Sequence, residues 1–110
     1  MSLFNWMQRP LVVRQVAVWG VEVARRAHPQ LSICLGQQVY RMSLHEARGY
    51  IRARAAAVLD DEIALLAEQT GCDAEMAAAV GRRAMHELCR LAIGDLLKAT
   101  RRSIPLRHAA

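Results

Sequence analysis

Aromatic side chains are scarce in this sequence. Phe, Trp and Tyr make up 5% of the residues, although 54% are hydrophobic and many of these are alanines. The scarcity argues against a core of bulky rings, and the abundance of alanine, the best helix former, favours closely packed helices. With 23% charged residues besides, the composition is that of a folding chain and excludes the disordered class.

Long uninterrupted apolar runs are also lacking. The first apolar stretch, LVVRQVAVWGVEVA, is broken by Arg14, Gln15 and Glu22. A membrane-spanning helix needs about 20 predominantly apolar residues, and no convincing signal-peptide cleavage site follows the stretch. We therefore expect a cytoplasmic protein that does not bind membranes.

Cysteines are few, and their spacing is not that of a disulfide framework. Cys34, Cys72 and Cys89 are expected to be reduced thiols, as in cytosolic proteins. His86 and Cys89 lie one helical turn apart, but a zinc site needs about four ligands. We interpret the pair as a surface imidazole beside a buried thiol and expect no metal or cofactor. Because no glycine-rich phosphate loop or nucleophile elbow is present, we predict no enzymatic activity.

The first predicted helix covers residues 10–27. At 110 residues the chain has about the length of one domain, and we treat 1–110 as a single helical domain. Pro10 suits a first helical turn, and Pro29 is expected to end the pattern. The predicted core face consists of Val12, Val16, Trp19, Val23 and Ala27. Residues 30–42 are expected to form a connecting loop with a helical turn, and a short helix or a hairpin of strands are the alternatives.

The second predicted helix covers residues 44–70. Ser43 and Glu46 have the spacing of a capping box, and Gly71 suits a helix end. The predicted apolar stripe consists of Leu44, Ala47, Ile51, Ala55, Val58, Leu59 and Leu66.

The third predicted helix covers residues 73–101 and completes the fold. Asp73 can cap its start, and Pro105 is expected to leave residues 102–110 as a basic tail. The predicted inner face consists of Ala77, Gly81, Ala84, Met85, Leu88, Ala92 and Leu96. A tight turn at Gly71 would fold the last two helices antiparallel. The sequence therefore predicts an all-α three-helix bundle built on a long antiparallel helical hairpin.

Charge is distributed unevenly along this hairpin. Residues 60–75 contain six acidic residues and no Lys or Arg, whereas residues 41–54 contain four arginines. We define an acidic tip as Asp60, Asp61, Glu68 and Asp73. We define a basic face as Arg41, His45, Arg48 and Arg52, whose 4, 3, 4 spacing predicts that they share one face of the second helix. A second copy packed head to tail would set each acidic tip against the other copy's basic face. We therefore expect a homodimer that functions through protein contacts.

Nucleic-acid binding is the alternative interpretation. The net charge of +5 permits contact between the basic face and phosphates. Residues 65–83 also resemble a helix-turn-helix DNA-binding motif, with Gly71 in its turn. The sequence departs from that motif because the helix that would read DNA presents Asp73 and Glu75 before it reaches Arg82.

Glu62 interrupts the apolar stripe of the second helix. On a helical projection it falls between Val58 and Leu66, where a carboxylate must be paired or must face a cleft. The hairpin places Arg82 or Arg83 opposite it, and we expect one of these to be its partner. A catalytic role for Glu62 is the alternative.

Overall fold

Three long helices and one short 3-10 helix make up the part of the chain that the structure describes. The computed structural model describes the backbone of residues 2–109 and the side chains of residues 11–101. The elements are α1 (Ser2–Leu35), the 3-10 helix (Gln38–Arg41), α2 (Leu44–Thr70) and α3 (Ala74–Ala109). No strand occurs in residues 2–109, and the prediction of an all-α three-helix arrangement is confirmed.

The first helix is longer than the predicted 10–27. It starts at Ser2 and runs through Pro29 to Leu35. A proline in a helix interior costs about 3 kcal/mol, since it removes a backbone hydrogen bond. Pro29 lies on the exposed face, where water can reach the freed carbonyl. Beyond it Leu31 and Leu35 are only 0% and 8% exposed. Burying a leucine contributes about 1.5–3 kcal/mol, which is enough for the two to offset the proline.

Residues 30–35 belong to α1, so the predicted connecting loop is wrong for them, whereas the 3-10 helix at Gln38–Arg41 agrees with the helical turn expected within that loop. Ile33 alternates with Leu31 and Leu35 as in a strand, yet it is 82% exposed because the helical period turns it to the opposite face. Gly36, with a φ of 58°, follows the last residue of α1. The 3-10 helix then buries Val39 against the bundle.

The start and end of α2 agree with the sequence. The Ser43 hydroxyl accepts a hydrogen bond from the Glu46 N–H at 3.2 Å, and the Ser43 N–H donates to the Glu46 carboxylate at 3.4 Å. Gly71 ends the helix in the left-handed region with a φ of 67°. The Asp73 carboxylate then accepts from the Met76 N–H at 2.7 Å and caps α3. These local signals explain why the boundaries were readable from the sequence.

The third helix extends beyond its predicted end near residue 101. Its backbone continues through Pro105 to Ala109. The missing N–H of Pro105 would have bonded the carbonyl of Arg101, close to the helix end, where water can replace the lost partner. The side chains of the predicted basic tail, 102–110, lie outside the described residues.

The second and third helices form an antiparallel hairpin. Near the turn, Ile63 lies beside Gly81. Farther from the turn, Arg52 and Cys89 line the same groove as these two residues. The two helices therefore stay together over several turns.

The first helix packs along the hairpin and runs parallel to α3. Gly20 lies against Arg83, so close that a Cβ atom at position 20 would be 2.4 Å from the Arg83 Cγ. Two turns later His28 Nε2 and Asp95 Oδ2 are 2.6 Å apart. Since both positions advance together along the two helices, α1 and α3 point the same way.

The core lies where the three helices meet, and it is aliphatic and rich in alanine. Its buried residues are Val23, Ala24, Ala27, Leu31, Leu35, Val39, Ala47, Ile51, Ala55, Val58, Leu59, Leu66, Val80, Ala84, Leu88, Ala92 and Leu96. Two predicted core residues, Val12 and Leu44, are instead 45% and 46% exposed. Leu44 is the first residue of α2 and so has no preceding helical turn beside it, and Val12 belongs to an exposed apolar patch on α1.

Candidate interaction surface

An open groove of about 810 Å³ runs between α2 and α3. Its described lining comes from these two helices alone, because α1 packs elsewhere on the hairpin. The groove floor is apolar and consists of Ala56, Leu59, Ile63, Ala77, Ala78, Gly81, Met85 and Cys89. A shallow apolar groove between two helices can accept an apolar face of another helix.

Small residues keep the groove open. Ala56 projects from α2 and Ala78 from α3, and both are exposed. Gly81 has no side chain. A Cβ added there would lie 3.9 Å from Ile63 Cγ1, which is an ordinary contact distance. Because these side chains are short, a partner can approach the helix backbones closely.

Charged side chains of both signs and one histidine border the groove floor. Arg52 and Asp60 stand on the α2 side, Arg82 and His86 stand on the α3 side, and all four are exposed. Within the described chain, Arg52 and Asp60 form no hydrogen bond or salt bridge. They are separated by about 12 Å along α2, which is too far for them to pair with each other. Both are therefore available to a partner.

The thiol of Cys89 belongs to the apolar floor. Partial burial raises the pKa of the Cys89 thiol, and the nearby charge of Arg52 opposes this effect without cancelling it. Cys89 Sγ lies 3.6 Å from Met85 Sδ. The thiol is therefore neutral near pH 7 and packs as a small apolar group.

The basic face is exposed, but it does not lie on one helix as predicted. Arg41 belongs to the 3-10 helix, whereas His45, Arg48 and Arg52 belong to α2. Of these four residues, Arg52 alone lines the groove. The prediction placed Arg41 on α2 by extending the helical spacing backwards past the Ser43 cap, where the helix does not continue.

The acidic tip is also exposed, and its residues have different environments. Asp60 borders the groove, whereas Asp61 and Glu68 lie outside its lining. The carboxylate of Asp73 is engaged in capping α3. Among the predicted charged residues, the structure therefore brings Arg52 and Asp60 to the same groove.

Glu62 has a different partner from the one predicted. Its Oε1 accepts a hydrogen bond from the Gln30 Nε2 of α1 at 2.8 Å. The expected partners lie elsewhere, because Arg82 borders the groove and the stem of Arg83 packs against Gly20. Glu62 therefore sits where α2 meets α1, and the extension of α1 beyond Pro29 supplies its partner.

His86 and Cys89 lie on the same side of α3 and both line the groove. His86 is exposed, whereas Cys89 is partly buried. In the part of the chain that the structure describes, no three His, Cys, Asp or Glu residues are grouped so that they could hold a metal ion.

The segment that resembles a helix-turn-helix motif, 65–83, forms the end of α2, the turn and the start of α3. The two helices of that motif meet at about 90–120°. Here they are antiparallel and remain adjacent as far from the turn as Arg52 and Cys89. The arrangement is that of a helical hairpin, and the exposed Asp73 and Glu75 begin its second helix.

Sequence reasoning missed the groove as a site. Its signal was the run of alanines around Ala56, which was assigned to general helix packing. A second surface was also missed, since the helical spacing predicts a core position for Val12 and no surface role for its neighbours. This surface is an exposed apolar patch near the start of α1, formed by Leu11, Val12, Val13 and Val18.

Comparisons with family models, curated proteins and solved structures found no significant match. Among the described residues, no helix combines the length and apolarity needed to cross a membrane.

Proposed function

We propose that this chain is a non-enzymatic helical module that works through protein contacts, homodimerisation among them, and that the groove between α2 and α3 is the surface where these contacts form. The observation that carries the proposal is the groove itself. It combines an apolar floor with unpaired charges of both signs at its border. Apolar contact supplies most of the attraction at such a surface, and the bordering charges select the partner and its orientation.

We expect the module to act in the cytoplasm. Its cysteines are free thiols, and Cys34 is exposed on the surface. Exposed thiols persist where cellular reductants keep them from oxidising.

The solution mass measured by light scattering tests the proposal. We expect a mass above that of the 12.3 kDa chain, decreasing on dilution and at high salt. A chain that is monomeric at every concentration would contradict homodimerisation. Salt-sensitive binding of a DNA duplex that is lost in Arg48→Ala would favour the nucleic-acid function instead.

A matched pair of variants tests whether the groove is the contact surface. Ala56 and Ala57 are adjacent, exposed and helical, but only Ala56 lines the groove. Ala56→Arg should therefore lower the mass to that of the monomer, while Ala57→Arg should leave it unchanged. An assembly that tolerates Ala56→Arg as well as Ala57→Arg forms through another surface.

A further inference from the structure

The α2 side of the groove carries opposite charges on the two sides of a central alanine. Arg52 and Asp60 lie four residues before and four residues after Ala56. In an antiparallel pair of α2 helices with a twofold axis at Ala56, Arg52 of each copy faces the partner's Asp60. A parallel pair would bring like charges together instead. The pattern is therefore self-complementary in one orientation.

The sizes of the side chains fit the same arrangement. Gly49 and Ile63 lie seven residues before and seven residues after Ala56, and these spacings keep all three on one face of α2. Around the twofold axis, Gly49 of each copy faces the partner's Ile63. An added Cβ at Gly49 would have no heavy atom within 4 Å, so a large side chain from outside has room there. Large residues would thus meet small ones across the axis.

We propose that the occupant of the groove is α2 of a second copy of this chain, packed antiparallel with the twofold axis at Ala56. This inference rests on the proposed function, because it names the partner of that groove. Each α2 then lies between α2 and α3 of the other copy, and the two hairpins form an antiparallel four-helix bundle. Gly81 and Ala78 leave room for the incoming helix, and each α1 lies outside the bundle.

Charge reversal tests the orientation. Arg52→Asp and Asp60→Arg each place like charges at two symmetric sites, and we expect each to raise the dimer Kd about tenfold. The double variant exchanges the charges and should return the Kd to within about threefold of the original. Both residues are exposed, so the fold of each copy should persist. Arg25→Asp, an exposed reversal on α1, is the charge-matched control and should leave the Kd unchanged.

Thiol alkylation supplies an independent measurement on the unaltered chain. Cys89 lies in the groove and Cys34 lies on the exposed side of α1. Raising the protein concentration through the dimer Kd should slow alkylation of Cys89 several-fold and leave that of Cys34 unchanged. Equal rates for Cys89 below and above that concentration would overturn the inference.

The outcomes separate the pairing from the proposed function. If Ala56→Arg dissociates the dimer but the double charge reversal gives no recovery, the groove remains the contact surface and the α2 pairing is wrong. If neither Ala56→Arg nor the charge reversals change the dimer Kd but Val13→Glu dissociates the dimer, the apolar patch on α1 is the interface and the inference fails. A monomeric wild-type chain overturns the inference and homodimerisation together.

Discussion

Replacing Gly20 with alanine tests the close packing of α1 against α3. Gly20 is buried where α1 crosses α3. A Cβ at this position would lie 2.4 Å from Arg83 Cγ, 2.7 Å from Arg83 Cβ and 3.4 Å from the Ala84 backbone nitrogen. The first two separations are shorter than side chains tolerate. Arg83 cannot relieve both by rotating its side chain, because its Cβ is fixed to the backbone, so α1 and α3 must move apart.

The expected change in the free energy of unfolding of Gly20→Ala follows from two opposing effects. Overpacking a well-packed core costs about 1–3 kcal/mol, while alanine improves on glycine in a helix by about 1 kcal/mol. Gly20→Ala should therefore lower the free energy of unfolding by about 1 kcal/mol, within a range from near zero to about 2 kcal/mol. Urea denaturation followed by circular dichroism, at one fixed protein concentration, measures this change.

Gly94→Ala is the matched control. Gly94 is also within a helix, and a Cβ there would meet no heavy atom within 4 Å. Only the helix propensity should change, so the variant should gain about 0.5–1 kcal/mol. If Gly20→Ala were stabilised as much as Gly94→Ala, the close packing of α1 on α3 would be refuted.

Two further substitutions test the core and a helix cap. Leu88 is 0% exposed, and Leu88→Ala should lose about 2–5 kcal/mol of unfolding free energy. Leu97 is 43% exposed, so Leu97→Ala is the control. A loss of unfolding free energy in Leu97→Ala as large as that in Leu88→Ala would show that the core is assigned wrongly. The Ser43 hydroxyl caps α2, and Ser43→Ala should lose about 1 kcal/mol in the same denaturation assay. An unchanged stability of Ser43→Ala would mean that α2 does not depend on this cap.

The bounds of α2 were predictable because their signals are local. Ser43, Glu46 and Gly71 determine the helix ends through contacts within a few residues of themselves. The all-α class was predictable for a related reason, since apolar residues recur at helical spacing throughout the chain.

The ends of α1 and α3 were not predictable from local rules. Proline usually stops a helix, yet α1 passes Pro29 because Leu31 and Leu35 gain more from burial than the missing hydrogen bond costs. That comparison requires knowing that α2 and α3 lie beside residues 31 and 35. The partner of Glu62 was missed for the same reason, since Gln30 reaches it from the extended part of α1.

Some features of the candidate site depend on local sequence and others depend on contacts between distant residues. Sequence alone determined the charges of Arg52 and Asp60, the small residues near them and the helix that carries them all, because each depends on residue type and helical spacing. The tertiary structure decided that α1 covers one side of the hairpin and leaves a groove on α2 and α3 with Arg52 and Asp60 at its border. Exposure depends on which helix faces pack together, and that is a property of contacts between residues far apart in the chain.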